Sequence, residues 1–359
     1  MKDEFLHYKL NNMSLSEKIG QMIIIDYRNI VEMNVDLEYL LTKYNPGGFI
    51  LFKSNIVNFE QTRKLLSEIK EIGEIPTIIS VDQEGGKVQR LDERVGFKKH
   101  PAMSEIGKTL DTNIAFELGS KIGRELKSIG VDMNMAPVLD IFSNPDNRVI
   151  GNRAFNSDRD IVKKMAFAYA EGLSSEKIIP VGKHFPGHGD TKQDSHIDLP
   201  IINKSLEELK MLELIPFIEA VRKKIPGLML AHIAVPKITL DNTPSSLSKI
   251  MISDLLRTDM EYKGLIMTDS LKMKALSNYF TNEQIYLRCI EAGNDFLLMP
   301  QDIGEAFNTI YQNVDQGIIT IERIDASVLR ILSIKFDYGF FNKEYQKFIQ
   351  QKNFDYRSR

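Results

Sequence analysis

Ile179-Pro180-Val181-Gly182-Lys183-His184 is an almost unbroken apolar run that turns polar at its end. It opens into Phe185-Pro186-Gly187-His188-Gly189-Asp190-Thr191-Lys192-Gln193-Asp194-Ser195-His196. A run without apolar–polar alternation suits a parallel strand covered on both faces. Further runs of this character, rich in Ile, Val, Met and Leu, lie at 22–25, 48–52, 77–82, 131–136, 228–232, 265–269 and 295–299. Amphipathic stretches of helical length separate them, among them 59–72, 113–128, 159–174, 205–223, 282–292 and 321–334. Ser14-Leu15-Ser16-Glu17 has capping-box form for an opening helix. The strand ends recur at irregular intervals of roughly 27 to 54 residues, unlike the fixed period of a solenoid.

Eight strand–helix units predict an α/β chain folded as a (β/α)8 TIM barrel, with its site at the C-terminal ends of the strands. A doubly wound open sheet is the rival, because pattern alone does not prove closure. No Gly/Ser/Pro-rich linker divides the first 335 residues, so a single domain is expected over 1–339. The remaining 340–359 read as a short polar and aromatic C-terminal tail, too small for a second core. The longest connections, roughly 83–111, 137–157 and 185–203, follow the third, fourth and fifth strands. Loops of that length are uncommon unless functional, which locates the expected working face.

Composition narrows the function classes. The 359 residues hold 46 Lys+Arg against 49 Asp+Glu, a formal charge of −3, with 26% charged and 43% hydrophobic residues. This is the profile of a soluble globular protein, and its balance removes bulk attraction to nucleic acid or anionic membrane. The one cysteine, Cys289, excludes an intramolecular disulfide and a cysteine metal cluster, and its apolar surroundings mark it as a core residue. No apolar stretch of signal-peptide length precedes Ser14, and no window approaches the ~20 apolar residues of a membrane span. A cytoplasmic protein with no membrane partner is expected. With no tryptophan, any sugar stacking must come from the 12 Tyr and 19 Phe.

The loop after the fifth strand is the densest polar cluster and holds three of the six histidines. Gly187, Gly189 and Pro186 imply unusual backbone angles there. In Asp194-x-His196 an extended backbone puts both side chains on one face, where the carboxylate can fix the imidazole for acid/base work. The bland alternative is a polar loop whose histidines bond its own backbone; a cluster at a barrel strand end favours chemistry. His184, His188, Asp190, Asp194 and His196 also form a possible ligand set for zinc or a similar ion, so the loop alone leaves metal-dependent hydrolysis open.

The seventh run ends Met267-Thr268-Asp269-Ser270. Asp269 can serve as a nucleophile at the barrel mouth or as the N-cap of a helix over 270–277, and position alone weighs the two equally. After the third strand comes Asp82-Gln83-Glu84-Gly85-Gly86, whose paired glycines allow close backbone approach, while Asp82 and Arg90 suit recognition of hydroxyls or a carboxylate. Their spacing matches neither a Walker loop nor a dinucleotide fingerprint. Arg148 and Arg153 read by default as surface charge, and His232 as a satisfied core histidine.

Taken together, these segments resemble glycoside hydrolase family 3, in particular its bacterial β-N-acetylglucosaminidases (β-hexosaminidases) of cell-wall recycling in a single-domain form. The likeness runs from Leu15-Ser16-Glu17-Lys18-Ile19-Gly20-Gln21-Met22 to about Gly339. Its most specific element is the run from Lys183 to Thr191 followed by Asp194-Ser195-His196; Asp82-Gln83-Glu84-Gly85-Gly86, Gly151-x-Arg153 and Met267-Thr268-Asp269-Ser270-Leu271 follow in the expected order. Position 270 is Ser where many relatives carry a second acidic residue.

The resemblance implies a glycoside hydrolase that retains anomeric configuration and needs no metal or other cofactor. Asp269 matches the nucleophile, His196 the proton donor and Asp194 its orienting partner. Asp82, Arg90, Arg153, Lys183 and His184 match positions that hold the N-acetylglucosamine ring. The implied substrate is a small carbohydrate, an N-acetylglucosamine-containing muropeptide or disaccharide, and a monomer is expected. A phosphorylase acting on the same glycosides is the nearer rival, because an imidazole lacks the carboxylate charge that repels phosphate. The metal-dependent barrel hydrolase is the more distant one.

Overall fold

Eight short parallel strands carry the molecule: β1 (Ile23–Ile25), β2 (Gly48–Leu51), β3 (Ile78–Val81), β4 (Met133–Asn134), β5 (Ile179–Phe185), β6 (Gly227–Leu230), β7 (Leu265–Thr268) and β8 (Leu297–Leu298). The structure is a computed structural model that describes residues 1–191 and 198–357, with side chains to residue 352. Each strand pairs with its sequence neighbour, and β1 pairs with β8 through Ile23↔Leu297 and Ile24↔Leu298. The ring closes where Met267 of β7 bridges Phe296, beside a Thr268 N–H donating to the Phe296 carbonyl at 3.2 Å. This is the nearly closed (β/α)8 barrel the apolar runs predict, and the open doubly wound sheet is ruled out.

Burial explains why those runs lack alternation. Ile23, Ile25, Phe49, Leu51, Ile79 and Val81 pack outward against helix residues such as Leu37, Leu41, Leu65 and Ile69. The intervening Ile24, Ile50, Ile78, Met133, Val181, Met229 and Met267 belong to a second cluster that continues into Phe5, Leu10, Ile331 and Phe341. Both faces of the sheet are apolar because both are covered. Cys289 lies in this second cluster, fully buried, and burial pushes its thiol pKa up, as befits a core residue.

Two strands, β4 and β8, are shorter than the apolar runs suggest. Asp132 and Asp295 sit at the N-terminal edge of the ring, where their carboxylates accept from the Ile79 and Ile266 N–H groups of the neighbouring strand at 3.0 and 2.9 Å. These bonds add to the backbone ones from the Asp132 and Asp295 N–H groups to the Ile79 and Ile266 carbonyls (2.9 and 2.7 Å), and Lys70 (2.7 Å) and Arg330 (2.9 Å) neutralise the two carboxylates.

The helices follow local chemistry. The Ser14 hydroxyl accepts from the Glu17 N–H at 3.2 Å while the Glu17 carboxylate accepts from the Ser14 N–H at 2.7 Å, completing the expected capping box. The stretch 205–223 is two helices, Leu206–Met211 and Ile215–Arg222, not one. Pro216 has no N–H to give and its ring crowds the preceding turn, so it sits in the first turn of a new helix. The C-terminal tail also differs from the reading as a mere tail. It forms the helix Asn342–Arg357, and Phe341, Tyr345 and Phe348 close around Phe5 with ring centroids 5.9, 5.3 and 5.4 Å away. Ion pairs Lys9–Glu344 and Lys352–Glu4, both 2.5 Å, flank that cluster. No helix among the described residues is long and apolar enough to cross a membrane.

Candidate active site

A cavity of about 490 Å³ opens at the C-terminal ends of the strands. Into it the barrel brings Asp82 and Arg90 from the β3 loop, Arg153 from the β4 loop, Lys183 and His184 from β5, and Asp269 from the end of β7. A larger hollow of about 650 Å³, between Thr239 and Thr320, contains none of these groups.

The β3 turn is built so that its carboxylates face inward. Gly85 has φ of +107°, and a Cβ there would stand 2.4 Å from the Pro101 carbonyl oxygen, so only glycine lets the loop lie so close. Asn134 of β4 pins the same turn, accepting from Gln83 N–H and donating to Gln83 O, both at 3.0 Å. Glu84 is thereby sunk beneath the cavity, where it receives both arms of Arg153 (Nε at 2.8 Å, Nη2 at 2.7 Å) and Lys183 Nζ at 2.6 Å. Lys183 also reaches Asp82 at 2.8 Å, and Arg90 meets Asp82 at 3.3 Å.

Burial would push the carboxyl pKa values of Asp82 and Glu84 up. Lys183 with Arg90 at Asp82, and Arg153 with Lys183 at Glu84, outweigh it and hold both groups below the ordinary carboxylate range. Burial would likewise lower Lys183, but Asp82 and Glu84 raise it. All these groups stay charged, and the network is a rigid frame of fixed donors and acceptors suited to sugar hydroxyls.

Arg153 is therefore not surface charge, correcting its default reading. Its side chain is 12% exposed and bonded to Glu84.

Two carboxylates without a role in the sequence reading support the site: Glu84, and Asp140 on the extension of β4. Asp140 accepts from His184 Nδ1 and the His188 N–H, each at 2.6 Å. The β4 chain reaches this point because it continues extended past Pro137, where Leu139 N–H donates to the Lys183 carbonyl. A bond spanning 44 residues has no local signature, which is why Asp140 was illegible.

The helix-cap alternative for Asp269 is not borne out. The helix after β7 is Lys274–Ser277, with Met273 at its N-cap and no side-chain cap, so Asp269 caps nothing there. Its carboxylate accepts from the Ser270 N–H at 2.7 Å. Burial would raise its pKa, but His184, His232, the Ser270 N–H and Lys183 together lower it, leaving an ionised carboxylate facing the cavity. His232 is fully buried as expected, with Nδ1 2.7 Å from Ser246 Oγ and Nε2 3.0 Å from the Ser270 carbonyl. It lies beneath the Asp269 turn and contributes to its charge balance, a part the core reading did not foresee.

The histidine loop leaves β5 along a tight path; at Gly189 a Cβ would stand 1.7 Å from the Ile141 carbonyl oxygen. His188 Nδ1 is 2.7 Å from Thr191 Oγ1, and burial followed by the neighbouring His184 depresses its pKa to about 4. Asp190 turns to Lys204 (2.8 Å), which also holds Glu213 (2.5 Å). Of the imagined metal set, His184 and Asp190 are thus engaged with Asp140 and Lys204, and no three His, Cys, Asp or Glu side chains converge as a ligand set among the described residues. Asp194 and His196 lie outside the described residues.

Phe52 is the aromatic carbocycle among the cavity-lining residues, and arginines cover it, Arg28 at 4.1 Å and Arg90 at 5.6 Å from the ring centroid. Asp26 orients Arg28 (3.1 Å) and pairs with Lys272 (2.6 Å), so with Lys274 the mouth carries a cationic edge.

Comparison with known proteins gives concordant results. Residues 14–334 match the family described as "Glycosyl hydrolase family 3 N terminal domain". The chain is 31% identical over 324 residues to Beta-hexosaminidase A of Pseudoalteromonas piscicida, covering 80% of this chain and 54% of that one. It is 37% identical over 260 residues to a Beta-hexosaminidase of Neisseria gonorrhoeae, covering 70% and 71% of the two chains. A solved family 3 β-N-acetylglucosaminidase from Paenibacillus superimposes with a TM-score of 0.88 at 35% identity, over 91% of this chain and 63% of that one. The chain thus spans about half the length of the first of these relatives.

Proposed function

The chain belongs to glycosyl hydrolase family 3, and on that premise we propose that it is a retaining exo-β-N-acetylglucosaminidase. The observation that carries the reading is Asp269. An ionised carboxylate at the end of β7 shares one cavity with the Asp82–Lys183–Glu84–Arg153 frame and His184.

In this reading Asp82, Arg90, Arg153, Lys183 and His184 hold the terminal N-acetylglucosamine. Asp269 attacks the anomeric carbon and forms a glycosyl-aspartate as the bond to the leaving oxygen breaks. His196, oriented by Asp194, delivers its proton to that oxygen. It then takes a proton from the water that attacks the anomeric carbon and frees Asp269. Two inversions restore the original configuration.

At the mouth Arg28, Lys272 and Lys274 outnumber Asp26, which supports an acidic aglycone, and hence a muropeptide or related cell-wall fragment. A cytoplasmic monomer recycling such fragments is the setting this reading implies. A single barrel face supplies the described candidate side chains Asp82, Arg90, Arg153, Lys183, His184 and Asp269, and the one cysteine is buried and free.

Asp269→Ala is expected to abolish hydrolysis of an aryl β-N-acetylglucosaminide while the circular dichroism spectrum stays unchanged; near-normal turnover sinks the nucleophile assignment. Product analysis with inorganic phosphate present separates the phosphorylase rival, which yields the 1-phosphate where the hydrolase yields the free sugar. For His196→Ala, aryl glycosides with good leaving groups should lose far less glycosylation rate than natural disaccharides. Equal losses across the series argue against a proton donor.

A further inference from the structure

We propose that Asp140 is a positioning residue. It fixes the proton of His184 on Nδ1, turns the Nε2 lone pair to the cavity, and ties that ring to the backbone of the histidine loop. Asp140 is fully buried, and each of its oxygens is committed: Oδ2 to His184 Nδ1 at 2.6 Å, Oδ1 to the His188 N–H at 2.6 Å and the His184 N–H at 3.3 Å. Burial would raise its pKa, but His184 and the His188 N–H together with its ring lower it, so it is an ionised group that can only accept.

An acceptor at Nδ1 requires Nδ1–H. On the opposite side of the ring, Nε2 lies 3.4 Å from Arg153 Nη2. A guanidinium can only donate, so Nε2 is the acceptor. Arg153 is itself held by two bonds to Glu84. Both nitrogens of His184 are therefore specified by a charged neighbour, which leaves one tautomer and one ring orientation. The exposed part of the Nε2 lone pair is then an acceptor for a sugar hydroxyl. Because Oδ1 also holds the His188 N–H, displacement of the ring and displacement of the loop backbone are linked through one carboxylate.

The inference rests on reading His184 as a residue that meets the sugar, but its tautomer can be tested without that reading. Nitrogen NMR of imidazole-labelled protein, assigned with His184→Gln, is expected to show His184 protonated at Nδ1 and not at Nε2. A wild-type spectrum with the proton on Nε2 overturns the proposal outright. Asp140→Asn keeps shape and replaces one acceptor by a donor. With its Oδ1 retained by the His188 N–H, its amide faces Nδ1, so the proton must move to Nε2, where it meets the Arg153 donor. The expected result is that switch in the spectrum, with a loss of roughly tenfold or more in kcat/KM on an aryl β-N-acetylglucosaminide. An unswitched tautomer, or kcat/KM within twofold of wild type in a folded variant, contradicts it. Loss of activity with the wild-type tautomer kept would be a merely structural role and also contradicts it. Failure of Asp269→Ala to lose activity, by contrast, bears on the hydrolase reading alone.

Discussion

Glu84 and Asp269 are two ionised carboxylates of one barrel mouth placed under opposite constraints. Glu84 has both oxygens occupied by Arg153 and Lys183 and is 2% exposed, so it is spent on holding other residues. Asp269 has one backbone N–H on its carboxylate and imidazoles nearby, which keeps it charged and leaves it available for an electrophilic carbon. Glu84→Gln should destabilise the fold by about 3–5 kcal/mol at pH 7, because it leaves two buried cations short of their counter-charge. The sign with pH follows from its depressed pKa. The folded carboxylate titrates below the unfolded value of about 4.3, so its contribution is present above that pH and lost as pH falls below it. Urea unfolding of wild type and variant should therefore converge toward acid pH. A gap that is constant down to pH 3, or no gap at pH 7, contradicts this account of Glu84. At this scale the sequence was informative only where spacing is local. Asp194-x-His196 and Asp82 through Gly86 can be seen as motifs, whereas Glu84 meets Arg153 across 69 residues and Asp140 meets His184 across 44. Such pairs exist only once β3, β4 and β5 lie side by side.

At the scale of elements, continuous apolar runs were enough to place all eight strands, since a strand buried on both faces has no polar face to show. The helices were legible where a cap or a clear apolar face marked them, as at Ser14 and over Phe59–Glu71. Pro216 broke a stretch whose hydrophobic pattern runs through the break, and the C-terminal helix was hidden because its apolar face has meaning only against Phe5. That contact also closes the N-terminal end of the barrel, opposite the cavity. Phe5→Ala removes the ring around which Phe336, Phe341, Tyr345 and Phe348 gather, and the expected loss is about 3–5 kcal/mol by denaturant titration. Activity per folded molecule should be unchanged. A loss below 1 kcal/mol would show that the terminal helices are not part of the cooperative fold.

For the whole molecule, the architecture and the chemistry are one statement. Catalytic barrels carry their sites at the C-terminal ends of the strands, and here β3, β4, β5 and β7 each deliver their residues to one cavity there. A net charge of −3 says nothing of this arrangement, because at the mouth Arg28, Arg90, Arg153, Lys183 and Lys272 are set against Asp26, Asp82 and Glu84 in fixed pairs, with Lys274 beside them. Local field, not net charge, matters to an incoming ligand. The central claim is that Asp269 becomes covalently bonded to the sugar. The direct measurement is mass spectrometry of the protein incubated with a slow 5-fluoro β-N-acetylglucosaminyl fluoride, followed by peptide mapping. The account predicts one added glycosyl residue per chain, located on the peptide that contains Asp269, and its disappearance in Asp269→Ala. Turnover of the probe with no adduct at any time point, or an adduct mapped to another carboxylate, would contradict it.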